Sequence, residues 1–269
     1  MFLLKFKKLI VSILPPAVFN LGQIFLYKLR GKNIRKSIKE ESLISIPSDY
    51  DATFGDFNKI YNIPVDKLFH YGGQCFNSSD QPFYNYLHYG KDSFQEYYEN
   101  YQPRNCLEAH KVNINNEYTK LQNSNFTLPW HNESAVKYRG EFGLSSDHGH
   151  SAFGPVSKKK LKLEIFRIKT CLKSLKKHGY IQWQLFPKID SDLPRVYMLK
   201  KISGECSFHI VSGKHRVACM IYLGWKNIPI KFDTSLSRLV SEEDCAKWPG
   251  VMNECYNEKQ AIDIFNTYF

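Results

Sequence analysis

The run "FHIVSGKHRVACMIYLGWKNIPIKF", Phe208 to Phe232, narrows the fold more than any other part of the chain. Phe208 to Val211 has the aromatic and β-branched character of a strand, and Ser212-Gly213 is turn chemistry. From His215 to Leu223, the side chains Val217, Ala218, Met220, Ile221 and Tyr222 make a nearly all-round apolar surface, as in a helix buried against a sheet. Gly224 supplies the stop, and Ile228 to Phe232 reads as a second strand with Pro229 at its first turn. The pattern predicts a compact β-α-β unit.

A helix start presents unpaired N–H groups and partial positive charge. With Ser212, Gly213, Lys214, His215 and Arg216 at that end, the turn is a candidate pocket for a phosphate or carboxylate. Cations here oppose the helix dipole, a local cost that a bound anion would offset. The plain alternative is that Lys214 and Arg216 sit in solvent.

Around this unit the expected fold class is α/β in the broad sense, an α+β arrangement with a small mixed sheet and packed helices. Ser157 is a helix cap, and Leu161, Ile165, Ile168, Leu172 and Leu175 repeat at helical spacing up to Gly179. "YIQWQLFPKI", "RVYMLKKI" and "CSFHIV" read as strands, and Ser241 to Lys247 and Glu258 to Tyr268 as closing helices. Upstream, residues 40 to about 70 read as linker and turns, with Pro, Gly and Asp punctuation. The aromatic run "QPFYNYLHYGKDSFQEYYENYQP" reads as core and rim of a small helical subdomain, stacking on sugars or bases being the alternative. The expected division is 1–39, 40–150 and 151–269.

Charge is uneven. Of a net +11, residues 1–39 hold nine Lys or Arg and no acid, leaving the body nearly neutral, which argues against a nucleic-acid groove spread over the fold. In residues 1–39, Phe2, Phe6, Leu9, Ile10 and Ile13 follow helical spacing, as do Val18, Leu21, Ile24 and Phe25 after Pro15-Pro16. Neither piece approaches the ~20 apolar residues of a spanning helix. The expectation is a pair of basic amphipathic helices on an anionic inner-leaflet surface, the protein being cytoplasmic and peripheral; docking on the protein's own core is the alternative. Seven cysteines without a CxxC pair or secretory signal are expected to be reduced, and the sequons at Asn77, Asn125 and Asn132 to be chance matches.

The order helix (Ser157 to His178), strand, strand, then "VSGKHRVACMIYLGWKNIPIKF" resembles the domain shared by the ParB N-terminal region and sulfiredoxin. There a strand runs into Gly-x-His/Arg-Arg, an alanine-containing helix, Gly and Ile-Pro-Val; Gly213, His215, Arg216, Ala218, Gly224, Ile228 and Pro229 fall in register, over roughly residues 153–233. The resemblance implies a nucleotide-phosphate site at Gly213, Lys214, His215 and Arg216. Members hydrolyse CTP, use ATP to reduce a sulfinic acid, or phosphorylate free serine. The cysteine that sulfiredoxin carries before its His-Arg pair is Lys214 here, so that chemistry fails, and the 45 residues after Gly224 are too few for the helix-turn-helix of partition proteins. What the resemblance leaves is ATP or another nucleoside triphosphate, with Mg²⁺, and phosphoryl transfer to a small molecule or glycan. "LKFKKLIVSILPPAVFNL" is similar to openings of proteins encoded among bacterial surface-polysaccharide genes, which would suit envelope polysaccharide metabolism.

Phosphoryl transfer needs charge neutralisation, a positioned acceptor and a base. Lys214 and Arg216 are candidates for the first. The catalytic candidates are His215, Glu164 on the Ser157 helix, and Asp147 and His148 in the "SDHGH" loop. His150 and Arg167 are candidates to face the substrate; an intrahelical Glu164-Arg167 pair and a weak metal site at Asp147, His148 and His150 are the competing readings. Two other functions stay open: a nucleotide-gated scaffold without turnover, and a ParB-like nucleic-acid binding protein or nuclease.

Overall fold

The computed structural model describes residues 35–38, 44–56, 59–112, 126–132, 144–183 and 193–269. In chain order the elements are β1 (Arg35–Ile38), α1 (Asp49–Phe54), β2 (Tyr61–Pro64), β3 (Leu68–His70), β4 (Gln74–Cys75), α2 (Pro82–Tyr89), α3 (Lys91–Asn100) and α4 (Cys106–Ala109). They continue with α5 (Lys158–His178), β5 (Tyr180–Trp183), β6 (Arg195–Lys200), β7 (Cys206–Ser212), α6 (Lys214–Tyr222), β8 (Asn227–Phe232), β9 (Leu239–Ser241), α7 (Pro249–Met252) and α8 (Glu258–Asn266). The helices expected within residues 1–30 lie outside the described residues.

Local chemistry sets the ends. The Ser157 hydroxyl accepts from the Lys160 amide at 3.1 Å, and α5 stops at Gly179, φ +63°. At the end of α6, Gly224 has φ +95°; its amide donates to Ile221 O and that of Trp225 to Met220 O, the paired bonds of a Schellman cap. At the start of α6, Gly213 has φ +85°, and a Cβ there would lie 2.8 Å from the Cα of Pro194. Both the backbone and the space require glycine.

The mixed sheet has the order β2-β8-β6-β7-β3-β4, with β9 joining β6 beyond the point where β8 leaves it. Along β6 the two-residue period sends Val196 and Met198 to one face and Tyr197 and Leu199 to the other, and all four are buried. Helices α2, α3, α5 and α6 cover the first face, α4 and α8 the second, so the fold is α+β with a sheet buried on both sides.

Several expectations are corrected. Strands β7 and β8 are not neighbours: β6 lies between them, antiparallel to β7 and parallel to β8, so the unit around α6 is a hairpin, a helix and a returning strand rather than a simple β-α-β. The stretch expected to be linker supplies β2 and β3, which pair with β8 and β7. Strands of three or four residues between Pro and Asp are too short for a period to declare itself. Arg35–Ile38, past the end of the expected helices, is a strand paired with β5. Ser241 to Lys247 holds a 3-10 turn over Glu242–Lys247. Pro229 stands third in β8, before β6 joins at Lys231.

Gly213→Ala should lose about 2 kcal/mol in urea unfolding, from backbone strain plus the Pro194 overlap, against about 1 kcal/mol for Gly204→Ala, where φ is +88° but the space is open. Equal losses would contradict the close approach to Pro194.

Candidate functional site

The start of α6 is pinned by α5. His215 is buried, and its Nε2 lies 2.5 Å from Oε2 of Glu164. The other carboxylate oxygen, Oε1, is 2.9 Å from Lys160 Nζ and 3.6 Å from Arg167 Nη1. The side chains of Lys160 and Glu164 are each 1% exposed, so this is an interior ion cluster. Burial pushes the Glu164 carboxyl up, but the hydrogen bond to His215 and the charges of His215, Arg167 and Lys160 outweigh it and hold the pKa well below the ordinary carboxylate range. Phe83 of α2 closes over the imidazole, ring centroids 4.5 Å apart.

The "SDHGH" loop and its continuation reach the same turn from the other side. Lys214 Nζ lies 3.4 Å from the hydroxyl of Ser151, itself buried. Two consecutive tyrosines of α3 hold the loop: Tyr98 donates to Ser151 O at 2.8 Å and Tyr97 to Ala152 O at 2.7 Å. His150 accepts from the Ala152 amide through Nδ1 and stacks on Phe153 at 4.6 Å.

The structure thus joins Glu164 and Arg167 to His215, and Ser151 with its neighbour His150 to Lys214. Ser212 is exposed at the end of β7, beside Gly213. Asp147 and His148 do other things: Asp147 accepts from the Ser145 hydroxyl, and His148 Nδ1 meets the Ser157 hydroxyl at 2.8 Å, bracing the start of α5. His148 and His150 therefore engage different partners, and among the described residues no group of three or more His, Cys, Asp or Glu is placed to hold a metal ion. Lys214 and Arg216 leave the helix in different directions, as residues about 200° apart on a helical wheel must. Lys214 reaches Ser151. Arg216 lies on the α5 side, where its charge helps to lower the Cys171 thiol after the larger effect of Cys219.

Sequence reasoning missed Lys160 and His70. Lys160 follows Lys158 and Lys159 directly after the cap, and nothing in that run distinguishes it from its neighbours. His70 on β3 is fully buried with neither ring nitrogen partnered, between Phe76 and Phe83; burial first, then the charge of Lys214, holds it neutral. Nothing local in the sequence marks either position.

A cleft of about 430 Å³ lies elsewhere, between α1 and β9, lined by Asp49, Thr53, Lys200, Arg238, Ser241 and Glu243. Its cations are engaged: Lys200 pairs with Asp49, and Arg238 donates to the carbonyls of Thr53 and Gly55 at 2.8 Å. No model of a known protein family matches the chain, and no curated protein matches its sequence.

Glu164→Gln leaves Lys160 buried without its counter-charge and should cost about 3 kcal/mol or more in urea unfolding, much of it recovered by adding Lys160→Met. A loss under ~1 kcal/mol would contradict the interior pairing. Stability should also fall as pH drops below the ordinary histidine value near 6.5, because burial holds His110 down to about 4 and keeps His70 and His209 neutral, while the unfolded chain takes up protons. The slope is about 1 kcal/mol per histidine per pH unit; a flat profile between pH 7 and 5 would contradict it.

Proposed function

We propose that the start of α6 binds the phosphates of a nucleotide, ATP or another nucleoside triphosphate with Mg²⁺, and that the protein transfers a phosphoryl group to a small molecule or glycan of the cell envelope. One observation carries the reading: Lys214 and Ser151, 63 residues apart, meet at the first turn of a helix that begins from a left-handed glycine. A cation, a hydroxyl and a helix start converging on one point are the chemistry of a phosphate cradle.

Each residue takes a role from its contacts. Lys214 and the first-turn amides bind phosphate oxygens, and Ser151 sets the direction of the Lys214 ammonium. Glu164 and Lys160 are positioning residues: they hold His215, and with it the turn, against α5. Arg216 and Arg167 add positive field from the α5 side. Mg²⁺ travels with the nucleotide and neutralises the charge that develops in transfer. His150, backed by the buried ring of Phe153, offers an imidazole for the acceptor. The likeness to ParB and sulfiredoxin domains, in which the equivalent turn holds nucleotide phosphates, belongs to this proposal, as does an inner-leaflet location through residues 1–39.

The test is a thermal-shift series with ATP, CTP, GTP and pyrophosphate on the wild-type chain, Lys214→Ala and Arg216→Ala. A ligand at ~100 times its Kd stabilises by about 2.7 kcal/mol, a shift of several degrees or less. Lys214→Ala should abolish the shift and Arg216→Ala reduce it, with little change in unliganded Tm. Equal shifts in all three proteins would place the ligand elsewhere. Release of nucleoside diphosphate, dependent on an added acceptor, separates turnover from a scaffold.

A further inference from the structure

Among the described residues nine large hydrophobic side chains are exposed, and four of them fall in one eleven-residue stretch: Ile44, Ile46, Tyr50 and Phe54, from 43% to 71% exposed. Their exposure follows from how the stretch is anchored. Ser45 forms a bridge with Asn62, its amide donating to Asn62 O at 3.0 Å and its hydroxyl accepting from Asn62 N at 2.9 Å, and Pro47 is buried. The alternation of an extended chain then turns Ile44 and Ile46 outward. In α1, the Ser48-Asp51 capping box fixes the first turn and Ala52 is fully buried, which leaves Tyr50 and Phe54, four residues apart, together on the outer side with rings 5.6 Å apart. A fifth exposed side chain, Ile202 at 75%, sits in the β6-β7 turn, which the Lys200-Asp49 ion pair brings beside α1.

The acids of α1 itself are paired, while Glu242, which accepts from the Ile202 amide at 2.9 Å, and Glu243, in the cleft beside Asp49, add negative charge at the edge of the row. Asp49 is paired with Lys200, and Asp51 with Lys59 at 2.7 Å, so the two acids of α1 present no uncompensated negative charge. The chain that leads into the stretch has nine basic and two acidic side chains in residues 1–43, net +7, with many large hydrophobics. Lys39 and Ile44 are five residues apart, at most ~18 Å. A strongly basic, apolar segment that ends where an outward row of Ile, Ile, Tyr and Phe begins has the composition of a surface that meets anionic lipid, cations drawn to headgroups and apolar tips entering the acyl boundary.

We propose that Ile44, Ile46, Tyr50 and Phe54 form a ridge of the folded body that inserts into an anionic bilayer surface and completes the contact made by residues 1–39. The proposal rests on the inner-leaflet part of the functional reading and adds to it a structured half. The ridge gives the contact a fixed orientation: α1 and the Lys200 end of β6 face the lipid, while Arg195 and the start of α6 lie at the other end of that strand.

The experiment is co-sedimentation of the full chain with vesicles of phosphatidylcholine containing about 25% phosphatidylglycerol, and with phosphatidylcholine alone. The wild type is compared with a variant carrying Ile44→Ser, Ile46→Ser, Tyr50→Ser and Phe54→Ser, and with one carrying Lys5→Gln, Lys7→Gln and Lys8→Gln. The ridge variant should keep its unliganded Tm and partition at least tenfold more weakly. In about 0.5 M salt, where attraction to headgroups is screened, the wild type should keep residual binding that the ridge variant lacks. Wild-type binding unchanged in the ridge variant overturns the ridge while leaving the basic segment in place; no wild-type binding to either vesicle overturns both. A ridge variant that loses several degrees of Tm would show that these side chains are covered by the protein's own chain. One that turns a lipid-free dimer into a monomer would show that they are covered by a second copy. Either result also overturns the proposal.

Discussion

The carboxylate of Glu164 is buried between a lysine, an arginine and a histidine, and the way α5 meets α6 follows from that arrangement. An ionised carboxylate out of water is tolerated only where cations and hydrogen bonds replace its hydration. Lys160 and Arg167 come from the same helix as Glu164 and would be present in any packing, but His215 comes from α6. The bond to His215 therefore requires one register between the helices. With the register set, Phe83 can close over the imidazole, Gly213 can turn beneath Pro194, and the first turn of α6 is delivered to the loop that carries Ser151.

Much of this was legible where the chemistry is local. The Ser157 cap, the Gly179 and Gly224 stops and the glycine before α6 each act through neighbouring residues, and the sequence shows them directly. The aromatic run does form helices with a buried face, Phe83, Phe94 and Tyr98, as expected. What was not legible depends on distant parts of the chain. Strands β2 and β3 are too short to show a period, and β6 stands between β7 and β8 because it holds its hairpin partner on one edge and the returning strand on the other. Lys160 and Glu164 are charged residues four apart on a lysine-rich helix, a pattern that ordinarily describes a solvated face. Only the arrival of His215 from a position 51 residues on makes their burial affordable. Tyr97 and Tyr98 were read for their rings, whereas their hydroxyls carry the loop to the site.

The two ends of β6 separate the two activities proposed for the molecule. Arg195, next to Pro194 and Gly213, marks the end near the start of α6; Lys200, paired with Asp49, marks the end near α1. Six residues of strand put these ends roughly 17 Å apart. A bilayer met by α1 would thus leave the start of α6, where the nucleotide is proposed to bind, facing away from the lipid. Both proposals use the same central strand as a spacer, and each can fail without the other.

The most direct measurement is of the backbone amides themselves. In a two-dimensional ¹H–¹⁵N spectrum titrated with pyrophosphate and then with ATP, saturable shifts should concentrate at Gly213, Lys214, His215, Arg216 and Ser151, and should vanish in Lys214→Ala. Shifts centred instead on the cleft beside Lys200 and Ser241, or no saturable shift at the start of α6, would contradict the account.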